Sequence, residues 1–183
     1  MPRVQLVRTD LAHGRTKELL STAESVFGVV PNAARVMANS PAVLDSFLTF
    51  STSMQGAKIG DKLHTQIKLG TSEANECSYC TSILCAIGPT AGLTAADLLE
   101  ARLAAATEAR TDAALRFARA VLETKGQVSD DELRTVRRAG FDDSAIVEIV
   151  ASVVLGCFTN FLNNVAETPL DFPKAEPLVG QVA

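Results

Sequence analysis

The sequence predicts an all-α domain, on three observations. Hydrophobic residues make up 47% of the chain but aromatics only 5%, with no tryptophan and many alanines, a composition that suits closely packed helices better than sheets. Apolar residues recur at helical spacing, as at Leu115, Ala118 and Leu122. The apolar segments are also bounded by residues that start and stop helices. At 183 residues the chain suits one domain, with N-terminal helices over 16–56, a central core over about 60–125, and C-terminal helices and a tail over 129–183.

Each element has its own signal. Thr16 to Phe27 is a first helix, closed by Gly28-Val29-Val30-Pro31, with Asn32 expected to cap the next, short helix over Ala33–Asn39. Ser40-Pro41 pairs a capping serine with proline at the first helical position and opens a helix to about Met54. Gly56 and Gly60 break the chain before a helix carrying Leu63, Ile67 and Leu69 toward Glu73. A helix over Cys77–Ile87 follows, stopped by Gly88-Pro89. Thr94-Ala95-Ala96-Asp97 reads as a capping box opening a helix to about Ala106. Thr111 to Lys125 ends at Gly126, and Ser129-Asp130-Asp131-Glu132 is a second capping box, for a helix ending at Gly140. The last helix, from about Asp143 to Asn163, is the most apolar and is expected to run through the core. Beyond Glu167 the tail holds Pro169, Pro173 and Pro177 and is expected to wrap the surface in extended form.

Charge and composition exclude several classes. The 17 basic and 21 acidic residues are scattered, without the basic stripe that phosphate backbones require, so no nucleic-acid partner is expected. The N-terminus lacks the apolar core of a signal peptide, and cytoplasm is the expected location. Ala145 to Phe161 carries Glu148 and Asn160 and is shorter than the roughly 20 apolar residues of a membrane span, so no membrane partner is expected. Four cysteines in a reducing compartment argue for redox chemistry or metal binding rather than a structural disulfide framework. Metal ligation finds no second CxxC or paired histidine motif, and Thr81 stands where a covalent haem site needs histidine after Cys80. No metal or cofactor is expected.

The chemistry-bearing run is Asn75-Glu76-Cys77-Ser78-Tyr79-Cys80. Three residues of separation is nearly one helical turn, which brings both sulfurs to one side and within reach of a reversible disulfide. The stretch His64-Thr65-Gln66-Ile67 through Ser72-Glu73-Ala74-Asn75-Glu76-Cys77-Ser78-Tyr79-Cys80 resembles the core motif of the carboxymuconolactone decarboxylase and alkylhydroperoxidase D (AhpD-like) superfamily. Val30-Pro31-Asn32, Ser40-Pro41-Ala42-Val43-Leu44, Gly140-Phe141, Phe158 to Asn163 and Leu170-Asp171-Phe172-Pro173 are similar to its longer, peroxidase-related members. The resemblance implies an AhpD-like helical fold, homo-oligomers, and a thiol-dependent peroxidase or disulfide oxidoreductase. Its partners would be a small hydroperoxide and a thiol or disulfide electron donor. It further implies that Cys80 attacks the peroxide and Cys77 resolves the sulfenic acid.

The sequence departs from that pattern where protons move. The family has a glutamate twelve residues before the first cysteine and a histidine four after the second; here those positions are Thr65 and Leu84, which with Tyr79 are expected around the pocket. An ordinary thiol is only roughly 3% thiolate at pH 7, so a base matters. Three readings follow: His64 or Glu73 serves as a substitute relay, the pair acts as a slow redox sensor, or the site is inert. A non-redox enzyme like the decarboxylases and an inactive structural or binding member are the alternatives in function. Cys85 and Cys157 are expected in the core, Cys85 being also the one candidate for an extra resolving thiol. His13 is expected in a loop, and Asn160 and Asn163 at caps or interfaces.

Overall fold

The computed structural model describes residues 2–178. Among the described residues there are nine α-helices, two 3-10 turns and no strand. The helices are α1 (Gly14–Phe27), α2 (Asn32–Met37), α3 (Pro41–Gln55), α4 (Gly60–Ala74), α5 (Ser78–Ile87), α6 (Ala95–Arg102), α7 (Ala109–Glu123), α8 (Asp130–Arg138) and α9 (Asp143–Ala166).

Both capping boxes form: Thr94 and Asp97 bond reciprocally at the start of α6, as do Ser129 and Glu132 at α8. Three local expectations are corrected. Asn32 is not a cap but the first residue of α2, and its N–H donates to the Asp171 carboxylate at 2.6 Å. Ser40 precedes α3 without a side-chain cap bond. The helix expected to reach Ala106 ends at Arg102, because Ala104 turns left-handed (φ 52°) and the Glu100 carboxylate takes the Thr107 N–H. Side chains distant in sequence, or an unforeseen turn, settle these ends.

Helix α4 is the centre of the packing. It lies against α5, α6, α7 and α9, and two glycines set how near the neighbours come. A Cβ on Gly70 would stand 2.8 Å from the Ala101 carbonyl oxygen, and one on Gly156 of α9 would stand 3.0 Å from Thr71 Cγ2. One apolar cluster joins α4, α5, α7 and α9 through Ile67, Leu84, Leu115, Phe117, Ile149 and Val153. A second joins α1, α2 and α3 through Leu19, Leu20, Met37, Leu44 and Leu48. Between them lies a small third cluster of Ala33, Cys77, Tyr79 and Cys80. The cysteine pair therefore sits at the seam between two cores.

Helix α9 is longer than its sequence suggested and is not wholly core. By length and composition it is apolar enough to cross a membrane, yet one face packs in the domain through Ile149, Val153, Leu155 and Gly156 and carries buried Ser152, Asn160 and Asn163. The opposite face exposes Val147, Val154, Phe161 and Val165. The tail runs extended, as expected, across α5: the Ala175 N–H donates to Ser82 Oγ at 3.0 Å and Leu178 is buried.

Candidate active site

The link from α4 to α5 places the cysteines. Asn75 ends α4, Glu76 turns left-handed (φ 52°), and the Cys77 N–H donates to the Ser72 carbonyl at 2.9 Å. A side chain is strained at positive φ, so Glu76 holds a turn that glycine would adopt more readily. Cys77 is the N-cap of α5 rather than its first residue, and its Sγ accepts the Cys80 N–H at 3.2 Å. The Cα atoms of Cys77 and Cys80 are 5.2 Å apart, within the range of a disulfide, and the sulfurs are at bonding distance.

The two sulfurs have different surroundings. Both are buried, Cys77 completely and Cys80 to 4% exposure, but Cys80 and not Cys77 lines a cavity of about 80 Å³, several times the space of one water. Phe27, Met37, Phe47, Ile83 and Leu84 are among its apolar lining, and Phe27 and Phe47 stack with ring centres 6.1 Å apart. Asn163 of α9 donates its amide to Cys80 Sγ at 3.4 Å and is held there by Thr168, whose hydroxyl donates to Asn163 Oδ1 at 2.8 Å. A donor to sulfur favours the thiolate over the thiol. Asn160 is fully buried, donates to Ser72 Oγ and accepts from Asn75, tying α9 to the end of α4.

Tyr79 packs beside the pair, accepts the Ala33 N–H at 3.1 Å through its hydroxyl, and lines the same cavity. Burial pushes its phenol well above the ordinary range, so it stays protonated. Leu84 lines the cavity; Thr65 is buried outside its lining. His64 is also buried outside the lining, its Nδ1 bonded to Ser152 Oγ at 2.8 Å. Ser152 gives its hydroxyl proton to the Glu148 carbonyl, so His64 Nδ1 carries the proton of that bond. Burial, with a smaller contribution from the Lys68 charge, holds His64 down to about 3 and therefore neutral. Glu73 is engaged elsewhere: Arg102 reaches both its carboxylate oxygens, at 2.8 and 3.2 Å, on a polar cleft beside Ser78 and Thr81. Neither sequence candidate for a relay shares the Cys80 cavity.

The structure brings in two residues that were not read as functional. Asn163, expected at a cap or interface, donates to Cys80 Sγ. Lys68, one turn along α4 from His64, lines the cavity beside Cys80, and burial holds its amine down to about 8. The signal available in the sequence was a lysine set between the apolar Ile67 and Leu69 on a core helix. Cys85 and Cys157 are half-buried free thiols outside the cavity, both pushed up chiefly by burial. Among the described residues no group of three or more histidine, cysteine or acidic side chains is arranged to hold a metal ion.

This arrangement of helices is the AhpD-like fold. No protein-family model and no curated protein sequence matches the chain, and the likeness lies in solved structures. An AhpD-core, peroxidase-related protein from Ralstonia eutropha JMP134 superposes with a TM-score of 0.81 at 20% identity, over 93% of this chain and 92% of its own. A peroxidase-related protein from Silicibacter sp. TM1040 gives 0.75 at 17% identity, over 92% and 94%. A cysteine-to-alanine variant of the debrominase Bmp8 in complex with 2,3,4-tribromopyrrole gives 0.79 at 20% identity, over 92% and 91%.

Proposed function

We propose that this chain is a thiol-dependent oxidoreductase that reduces a small organic hydroperoxide at Cys80 and resolves the oxidised sulfur with Cys77. The observation that carries the reading is the asymmetry of the pair: Cys80 opens onto an apolar cavity, and Cys77 stands directly behind it, buried, at disulfide distance. An attacking thiol needs access to substrate, and a resolving thiol needs access only to the first sulfur. The apolar wall favours an organic hydroperoxide over hydrogen peroxide. Turnover requires an external dithiol to reduce the disulfide again, which fits a reducing compartment such as the cytoplasm.

The test is a thiol count. With cumene hydroperoxide, two titratable thiols of the reduced protein become one intramolecular Cys77–Cys80 disulfide, and Cys80→Ser abolishes peroxide consumption. Thiols that stay free in the folded protein would overturn the reading in favour of a non-redox or inactive AhpD-like protein.

A second reading is reductive dehalogenation, favoured by the likeness to the Bmp8 variant with its brominated pyrrole and by the apolar cavity. There the pair would be oxidised to the disulfide while a carbon–halogen bond is replaced by carbon–hydrogen and halide leaves. Bromide release from 2,3,4-tribromopyrrole by the reduced protein separates it from peroxide reduction.

The chain is further read as a homo-oligomer. Val147, Val154, Phe161 and Val165, each more than half exposed, recur at intervals of seven, seven and four residues along α9, the spacing of a seam between paired helices.

A further inference from the structure

Lys68 is the one charged side chain among the described residues that line the Cys80 cavity. The residue is half-buried, and its amine has neither an ion-pair nor a hydrogen-bond partner among the described residues. The groups around it are uncharged on each element: Phe27 of α1, Met37 of α2, Phe47 and Ser51 of α3, and Thr159 and Asn163 of α9. His64, one turn back on α4, is neutral, and Tyr79 of α5 keeps its proton. Asp171 stands beyond the Tyr79 hydroxyl and is taken by the Asn32 N–H. A half-buried lysine with no counter-charge shares this cavity with the sulfur of Cys80, an arrangement that suits proton transfer.

Resting on the peroxide-reducing reading above, we propose that the Lys68 amine is the proton-transfer group of the site, supplying the base that Thr65 and Leu84 do not. The neutral amine accepts the Cys80 thiol proton. The thiolate attacks the terminal oxygen of the hydroperoxide, the O–O bond breaks, and a sulfenic acid forms on Cys80. The departing alkoxide takes the proton from the Lys68 ammonium and leaves as the alcohol. Cys77 then attacks the sulfenic sulfur, its proton leaves with the hydroxide as water, and the disulfide closes. An external dithiol restores both thiols by exchange. Burial matches the amine to this work: held down to about 8, it is close to the ordinary thiol value, so the proton moves between them at little cost in either direction.

The decisive experiment compares wild type with Lys68→Met, Lys68→Arg and Lys68→Ala in two measurements. The first is single-turnover oxidation of the reduced protein by cumene hydroperoxide. Lys68→Met is expected to slow it by about 100-fold or more, the usual scale of general acid–base catalysis. Lys68→Arg keeps the charge but does not lose a proton near neutral pH and stays slow, and added ethylamine partly restores Lys68→Ala. The second is the pH profile of Cys80 alkylation by iodoacetamide, followed on the Cys80 peptide in a Cys77→Ser background. Lys68→Met is expected to move its midpoint to higher pH, and Lys68→Arg to leave it low. Oxidation rates and alkylation profiles equal to wild type in the Met and Ala variants would overturn the proposal. If hydroperoxide leaves the wild-type thiols free, the functional reading fails, and the alkylation profiles still decide whether Lys68 acts on Cys80.

Discussion

Burial acts on two basic side chains one turn apart on α4, with opposite uses. His64 is folded into the α4–α9 contact as a neutral hydrogen-bond donor to Ser152, and its stability contribution depends on pH. Its native value of about 3 lies below the ordinary 6.5. As pH falls from 6.5 toward 3, the unfolded chain takes up a proton that the native chain refuses, so stability declines across that window, by roughly 1.4 kcal/mol per pH unit at full slope. Urea unfolding at pH 7 and pH 4.5 checks it: wild type should lose roughly 2–3 kcal/mol more than His64→Gln over that interval. Equal losses would mean that His64 titrates normally. Lys68 by contrast has no partner among the described residues and lines the cavity that Cys80 also lines. The identity of both residues was plain in the sequence, but which of them faces the sulfur was not. Positions 64 and 68 are one turn apart, and the choice between them depends on how α4 is rotated against α5 and α9.

At the level of elements, the positioning of the site depends on how closely α4 is approached. The Ala101 carbonyl passes over Gly70 at a distance that leaves no room for a side chain. Gly70→Ala is therefore expected to lower stability by about 1–3 kcal/mol despite the better helix propensity of alanine, because the obstacle is backbone and cannot rotate away. A thermal melt unchanged or raised would show that α6 shifts freely. Starts and stops of this kind divide into two groups. Thr94–Asp97 and Ser129–Glu132 form the bonds their sequences announce, since both partners lie within one turn. Asn32 and the end of α6 differ because an aspartate 139 residues away and a left-handed alanine decide them. The CxxC shows both kinds of behaviour. The spacing announces a disulfide-forming pair, while the cap position of Cys77 follows from the turn at Glu76.

For the whole molecule, the exposed stripe on α9 carries the expectation of assembly. Sedimentation should give a mass above the 19.3 kDa of one chain, and Phe161→Glu should return it to that value without a change in helix content. A wild type that sediments as a single chain would remove the expectation. All-helical class, the order of helices and a cysteine pair at disulfide distance were legible in the residues, because helical periodicity, caps and a three-residue spacing are local properties. The cavity, the orientation of Cys80 toward it, and the company of Lys68 and Asn163 were not. Those arise where α1, α2 and α3 close against α4, α5 and α9, and each depends on side chains brought together from distant parts of the chain. Local sequence thus names the dithiol, and the packing of two apolar clusters around it decides which sulfur lines the cavity and which basic side chain lines it too.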